Sequence, residues 1–268
     1  MLVCSYKISR VIDLMIVTVL DAKIGQIPYR QGSRFAPDKG CLPGTSVVFL
    51  DFIIDWVNNH ASERTLVLFG LRGTGKSTIA HEIARRFDDI HRLTSSFIFV
   101  RKEYPKTDAF HLFTNLAHDL ADRYPLFKTA LGKVIQDDTS LRCGTRDYST
   151  LFRRLILEPL KGLHVVGPIL VVIDALDESG DTTGEDGLHI FLAKNLSELP
   201  SNFRVLITSR PELGIVSAFS AATSVVTKDM NDPHLEATSL GSTECCSVDL
   251  TMPVEYVSPV FTHDVNMC

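Results

Sequence analysis

The stretch "TLVLFGLRGTGKST", Thr65–Thr78, decides the fold. A short apolar run leads into a loop with three glycines and a lysine, and "STIAHEIARRF" follows at once. The loop fits G-x-x-x-x-G-K-[ST] at each fixed position: Gly70, Gly75, Lys76 and Ser77. Glycines let the backbone fold tightly, so that successive N–H groups point inward at phosphate oxygens. A helix starting at the lysine adds its positive dipole end. Lys76 would then reach the β- and γ-phosphates, and the Ser77 hydroxyl would take a place on Mg²⁺. The alternative is a Gly-rich turn with an incidental lysine. Against it stand the strand-like run before the loop and the stripe Ile79, Ile83, Phe87 after it, which marks one helix face. The candidate nucleotide-binding residues are Gly70, Gly73, Thr74, Gly75, Lys76, Ser77 and Thr78.

Two further motifs follow. "ILVVIDALDESG" (Ile169–Gly180) is an apolar run ending in Asp174, the form of a strand whose terminal carboxylate holds Mg²⁺, mostly through water. Asp177 and Glu178 come three and four residues later, where a carboxylate could orient or deprotonate an attacking water. For these two the competing reading is a solvated acidic turn. "NFRVLITSRPE" (Asn202–Glu212) is again a strand with a polar tip, and Arg210 on that tip is a candidate to sense a γ-phosphate. The competing reading is a turn set by Pro211 with Arg210 in solvent. The base is less clearly written. "DESG" matches the D-x-x-G of GTPases, but no N/T-K-x-D guanine reader appears, and "TKDM" has its Asp one place early. ATP is therefore favoured over GTP.

Strands and helices alternate from residue 65. The expected strands are Thr65–Phe69, Ser96–Val100, Ile169–Ile173, Arg204–Thr208 and, weakly, Ser224–Thr227. The expected helices are Lys76–Phe87, Ala109–Tyr124, Leu126–Ile135, Tyr148–Leu160 and Gly187–Leu199, with another over Ser46–His60 capped by Ser46. Such alternation predicts a three-layer α/β/α fold around a parallel sheet. Residues 21–45 are rich in Gly and Pro and read as an extended linker.

Charge is uneven. After Lys228 there is no Lys or Arg, and seven carboxylates there more than account for the net charge of -5. Neither part is basic enough to suggest a nucleic-acid partner. The six cysteines form no CxxC pair, which predicts a reduced, cytoplasmic protein. Val11–Leu20 is apolar and could imitate a signal peptide, but Asp13 interrupts it and a short buried helix or strand is the expectation. No stretch has the ~18 consecutive apolar residues needed to span a bilayer, so no membrane is expected. Arg142, Arg146, Arg153 and Arg154 could furnish a kinase lid, yet they look like a helix surface. His111 and His118 read as surface residues.

Together "GLRGTGKST", "ILVVIDALDESG" and "NFRVLITSRPE" resemble the NACHT domain of STAND-class P-loop NTPases. The resemblance is to fungal NLR-like proteins whose module is also called a nephrocystin-3-like N-terminal domain. It runs from about Gly32 to about Met230 and takes in "DFIIDWVNN", "LILEPLKGL" and "LPSNFRVLITSRPE". It implies an ASCE-type P-loop NTPase sheet in the order 2-3-4-1-5. It implies Lys76 and Ser77 in the Walker A roles and Asp174 in the Mg²⁺ role. Asp177 or Glu178 would be the catalytic carboxylate, and Arg210 the sensor. It also implies a switch, with ATP holding an open, self-associating form, ADP a closed one, and turnover slow.

The pattern fades after "TSVVTKDMND". The family normally continues into a helical and winged-helix segment and then repeats. The expected organisation is an N-terminal segment at 1–31, a linker and helix at 32–64, the NTPase core at 65–230 and an acidic, disordered tail at 231–268. A truncated core of this kind could alternatively act as a non-hydrolysing decoy that associates with full-length NACHT relatives.

Overall fold

In the computed structural model of the protein, residues 18–42, 44–100, 109–142, 147–180 and 187–231 are described. Five parallel strands, β1 (Thr65–Phe69), β2 (Leu93–Ile98), β3 (Ile169–Asp174), β4 (Phe203–Ser209) and β5 (Val225–Asp229), lie in the order β2-β3-β4-β1-β5. This is the order implied by the resemblance. Every residue of β1, β3 and β4 is buried, as expected for central strands covered on both faces. Alternate side chains feed two apolar clusters. Val67, Ile173, Val171, Val205 and Ile207 face one layer, while Leu66, Leu68, Leu170, Val172 and Leu206 face the other.

The second layer is built on α2 (Val47–Asn58) and α3 (Lys76–Asp89), through Ile53, Trp56, Ile79, Ile83 and Phe87. The first holds α4 (Ala109–Arg123), α5 (Pro125–Asp137), a composite helix α6, α7 (Leu188–Asn195) and α8 (Leu213–Ser220). In α6 the turns Tyr148–Leu151 and Glu158–Leu160 flank a π-helical stretch, Phe152–Leu157. Pro159 has no N–H to donate to the preceding turn, and the helix widens just before it.

Several boundaries differ from the sequence reading. β2 starts three residues earlier than expected, because Thr94, Ser95 and Ser96 are polar yet buried. β5 reaches Asp229, in register with Phe69 of β1. The helix expected to run to Leu199 turns to 3₁₀ geometry at Leu196–Glu198. Ser46 stands at the cap of α2 in left-handed backbone (φ 56°) and its side chain makes no capping hydrogen bond. His118 is half-buried rather than on the surface; its Nε2 lies 3.0 Å from the Ile27 carbonyl and its ring meets Tyr29 edge-on.

The segment read as a linker is a strap. Residues 18–24 are helical (α1), and Ile24 and Ile27 enter the core. Asn115 of α4 accepts from Arg30 N and donates to Arg30 O and Ser33 Oγ. Ile98 N donates to Ser33 O at 2.8 Å and Phe35 N to Ser96 Oγ at 3.0 Å, so the strap lies along the outer edge of β2. Gly and Pro content reports the lack of a period; it says nothing about such backbone pairing. The expectations for residues 11–17 and for the tail beyond Asn231 lie outside the described residues. Among the described residues, no helix is long and apolar enough to cross a membrane.

Candidate functional site

The carboxyl ends of β1, β4 and β3 meet in register: Phe69 pairs with Ser209, and Ile173 with Ile207. The loop that leaves β1 turns on Gly73 (φ 84°) and Gly75 (φ 88°), conformations that a Cβ disfavours. Gly70 is needed for another reason, since a Cβ there would lie 2.7 Å from Thr74 Oγ1 and 3.3 Å from Met230 Cβ. Thr74 Oγ1 itself donates to Leu71 O at 2.9 Å and pins the loop. α3 then starts at Lys76, so the unpaired N–H groups of its first turn stand at the loop. The Lys76 ammonium is folded back, donating to Gly70 O at 2.7 Å and Leu71 O at 2.8 Å. Burial lowers its pKa, and the charges of Asp177 and Asp174 oppose that shift.

One strand away, register places Asp174 beside Thr208. The Thr208 hydroxyl donates to Asp174 Oδ1 and accepts from Ala175 N at 3.0 Å. Ser77 comes close enough to the Asp174 carboxyl to lower its pKa. Burial pushes that carboxyl above the usual range, against the nearby hydroxyls of Thr208 and Ser77 and the charges of His81 and Lys76. His81 is one turn beyond Ser77 on α3. Its Nδ1 accepts from Ala36 N of the strap at 2.9 Å, which leaves the proton of the neutral ring on Nε2. Burial lowers the His81 pKa.

After Asp174 the chain passes through Ala175 at φ 58°, a costly conformation for a residue with a Cβ. It then tightens into the 3₁₀ turn Leu176–Glu178. That turn brings its carboxylates to the tip of β4. Arg210 N donates to Asp177 Oδ1 at 2.9 Å, and Arg210 Nη2 donates to Glu178 Oε1 at 3.0 Å. Arg210 Nε is ion-paired with Asp177 Oδ2 at 2.9 Å, but that buried oxygen receives no well-directed hydrogen bond. The Asp177 side chain is 2% exposed, that of Arg210 33%. The solvated-turn reading therefore does not hold for Asp177, and Arg210 does not project into solvent.

The result is an open cleft of about 760 Å³. Gly73, Gly75, Lys76, Ser77, Thr78, Asp177, Glu178 and Arg210 line it. Gly70 and Thr74 shape the loop behind, and Asp174 is tied to the wall through Thr208. Arg72, Val100, Ala175 and Thr208 also line the cleft without having been sequence candidates. Thr208 matters most among them, and its only signal was a position within "LITSRP". The donor set suits a phosphate chain with Mg²⁺. It offers a glycine cradle, a helix start, a hydroxyl paired with a buried carboxylate, and in Asp177 Oδ2 a buried anionic oxygen lacking a hydrogen-bond donor.

A parallel sheet in this order, with the G-x-x-x-x-G-K-S loop after β1 and an acid closing β3 on the far side of β4, defines a P-loop NTPase of ASCE arrangement. Residues 47–210 match the family Nephrocystin 3, N-terminal, and the chain belongs to that family. Membership implies a nucleotide ligand, generally held with Mg²⁺. Among solved structures it is similar to PCH-2 of C. elegans, at 13% identity and a TM-score of 0.33. The match covers 68% of this chain and 41% of that one. No curated protein matches the chain.

Proposed function

We propose that the chain binds ATP, in preference to GTP, with Mg²⁺ and hydrolyses it slowly, as the switch module of a STAND-class signalling NTPase. The loop amides and Lys76 hold the phosphates, Ser77 and Asp174 hold the cation, and Asp177 or Glu178 orients the attacking water. Arg210 reads the γ-phosphate. The observation that carries this reading is the placement of Ser77 beside the Asp174 carboxyl, close enough to lower its pKa. It joins the two proposed cation ligands, which come from motifs far apart in sequence. Slow turnover is supported by the contacts of Arg210 with both Asp177 and Glu178, since neither is poised to take a proton from water while so held. The preference for ATP rests on the missing guanine reader.

Titration with a fluorescent ATP analogue tests it. Binding should need Mg²⁺ and should fall at least ~100-fold in Lys76→Ala, a loss of about 2.7 kcal/mol. Equal binding by the two proteins refutes the proposal. A second reading, association with full-length NACHT relatives, is favoured by the exposure of Leu71 (60%) and Leu213 (83%), which flank the tips of β1 and β4 in sequence. Light scattering on the same samples, with ATP and with ADP, separates the two.

A further inference from the structure

We infer that Asp177 and Glu178 act as a latch on Arg210, so that these two carboxylates set how strongly the cleft prefers a triphosphate to a diphosphate. The inference rests on the cleft being a nucleotide site. It adds a competition that the sensor role alone does not contain.

The Nε edge of the Arg210 guanidinium is taken up by protein anions: Nε lies 2.9 Å from Asp177 Oδ2, and Nη2 lies 3.0 Å from Glu178 Oε1. Asp177 depends on that arrangement. Its Oδ1 has a main-chain donor in Arg210 N, but Oδ2 has no well-directed hydrogen bond, so the guanidinium is the counter-charge in contact with it, beside the more distant Lys76 ammonium. A carboxylate this deeply buried is destabilised when its cation leaves. Any phosphate that recruits Arg210 must offset that loss.

Only one side of the latch can give way. The tip of β3 is stitched down by Thr208, which bonds both Asp174 and Ala175 N. The Arg210 main chain is likewise fixed through its N–H to Asp177 Oδ1. The Arg210 side chain is a third exposed and lines the cleft, so it can swing while its backbone stays in place. A terminal phosphate offers several charged acceptor oxygens in a geometry that suits a guanidinium fork. Phosphates seated on the loop are served by its amides and Lys76. The one that reaches the tip of β4 draws on Arg210, and it alone feels the latch.

Fluorescent ATP and ADP analogues, titrated in Mg²⁺ buffer, read this competition in wild type, Asp177→Asn, Glu178→Ala, Arg210→Gln and the two double variants. Each carboxylate variant should tighten ATP about tenfold, equivalent to ~1.4 kcal/mol, and shift ADP far less. Both gains should vanish in the Arg210→Gln background, since a double-mutant cycle isolates the pair. A gain that persists without Arg210, or that is equal for ATP and ADP, is plain charge removal and overturns the latch. So does the absence of any gain in Glu178→Ala, a half-buried site that keeps the test open if Asp177→Asn unfolds. A wild-type protein that binds neither analogue overturns the nucleotide reading instead.

Discussion

Replacing Thr208 by valine removes one oxygen from a fully buried side chain and keeps its shape. That oxygen donates to the Asp174 carboxylate and accepts from Ala175 N at 3.0 Å. A hydrogen bond to a charged group contributes about 1.5–3 kcal/mol, and a buried N–H left without a partner costs about 1–3 kcal/mol. The two terms share one atom and do not simply add, so the expected loss is about 3 kcal/mol. Part of it reflects Ala175, whose φ of 58° is held in place by the lost bond. For a domain of this size each kcal/mol lowers Tm by about 2–4 °C, which predicts a fall of about 6–12 °C. Thr208→Ser keeps the hydroxyl and gives up one methyl, so it should lose only about 1 kcal/mol. Thermal unfolding followed by far-UV circular dichroism at pH 7.5 measures all three proteins. A valine variant melting within about 2 °C of wild type, or a serine variant as weak as valine, refutes the stitching of β3 to β4 by this hydroxyl.

Asp119 should make stability depend on pH. It is buried, accepts from Ser95 Oγ at 2.5 Å and Tyr29 OH at 3.3 Å, and has Arg34 at 3.9 Å and Asp122 nearby. Burial pushes its pKa to about 6. The unfolded value is about 3.9, so the folded state binds the proton more tightly and stability falls as pH rises between the two, by up to about 3 kcal/mol. Urea melts from pH 4 to 7.5 should show Asp119→Asn gaining on wild type across that window, and a flat difference would exclude it. His81, whose pKa burial lowers, works in the opposite direction but is common to both proteins. Gly70→Ala should weaken triphosphate binding tenfold or more, about 1.4 kcal/mol, because its Cβ collides with Thr74 Oγ1. Gly162→Ala, with open space around it, is the control, and equal binding by the two variants would show that the loop yields freely.

The sheet order and the three motifs were legible because each is a contiguous pattern: apolar run, then loop chemistry, then helix stripe. What joins the motifs was not. Asp174 meets Thr208, and Asp177 meets Arg210, through a register between segments that the sequence separates by more than thirty residues. β2 hid its start behind Thr94–Ser96, whose hydroxyls are buried, Ser95 Oγ on Asp119 and Ser96 Oγ under Phe35 N. α8 was missed because Pro211 reads as a turn and the helix that follows has only eight residues. The strap has neither period 2 nor period 3.6. Its order comes from Asn115, Ser96 and His81, residues that other elements supply.

That strap bears on how short a piece of this protein could stand alone. The family match begins at residue 47, beyond it. A chain cut there would lose the Ser33 carbonyl that receives Ile98 N, leaving β2 with a bare outer edge. Unpaired strand edges recruit strands from neighbouring molecules. Loss of Ile24 and Ile27 would leave hollows in the apolar cluster they share with α4 and α5, and His81 would lose its donor on the helix that starts at the phosphate loop. Such a core would keep every recognisable motif and still be prone to stick to copies of itself.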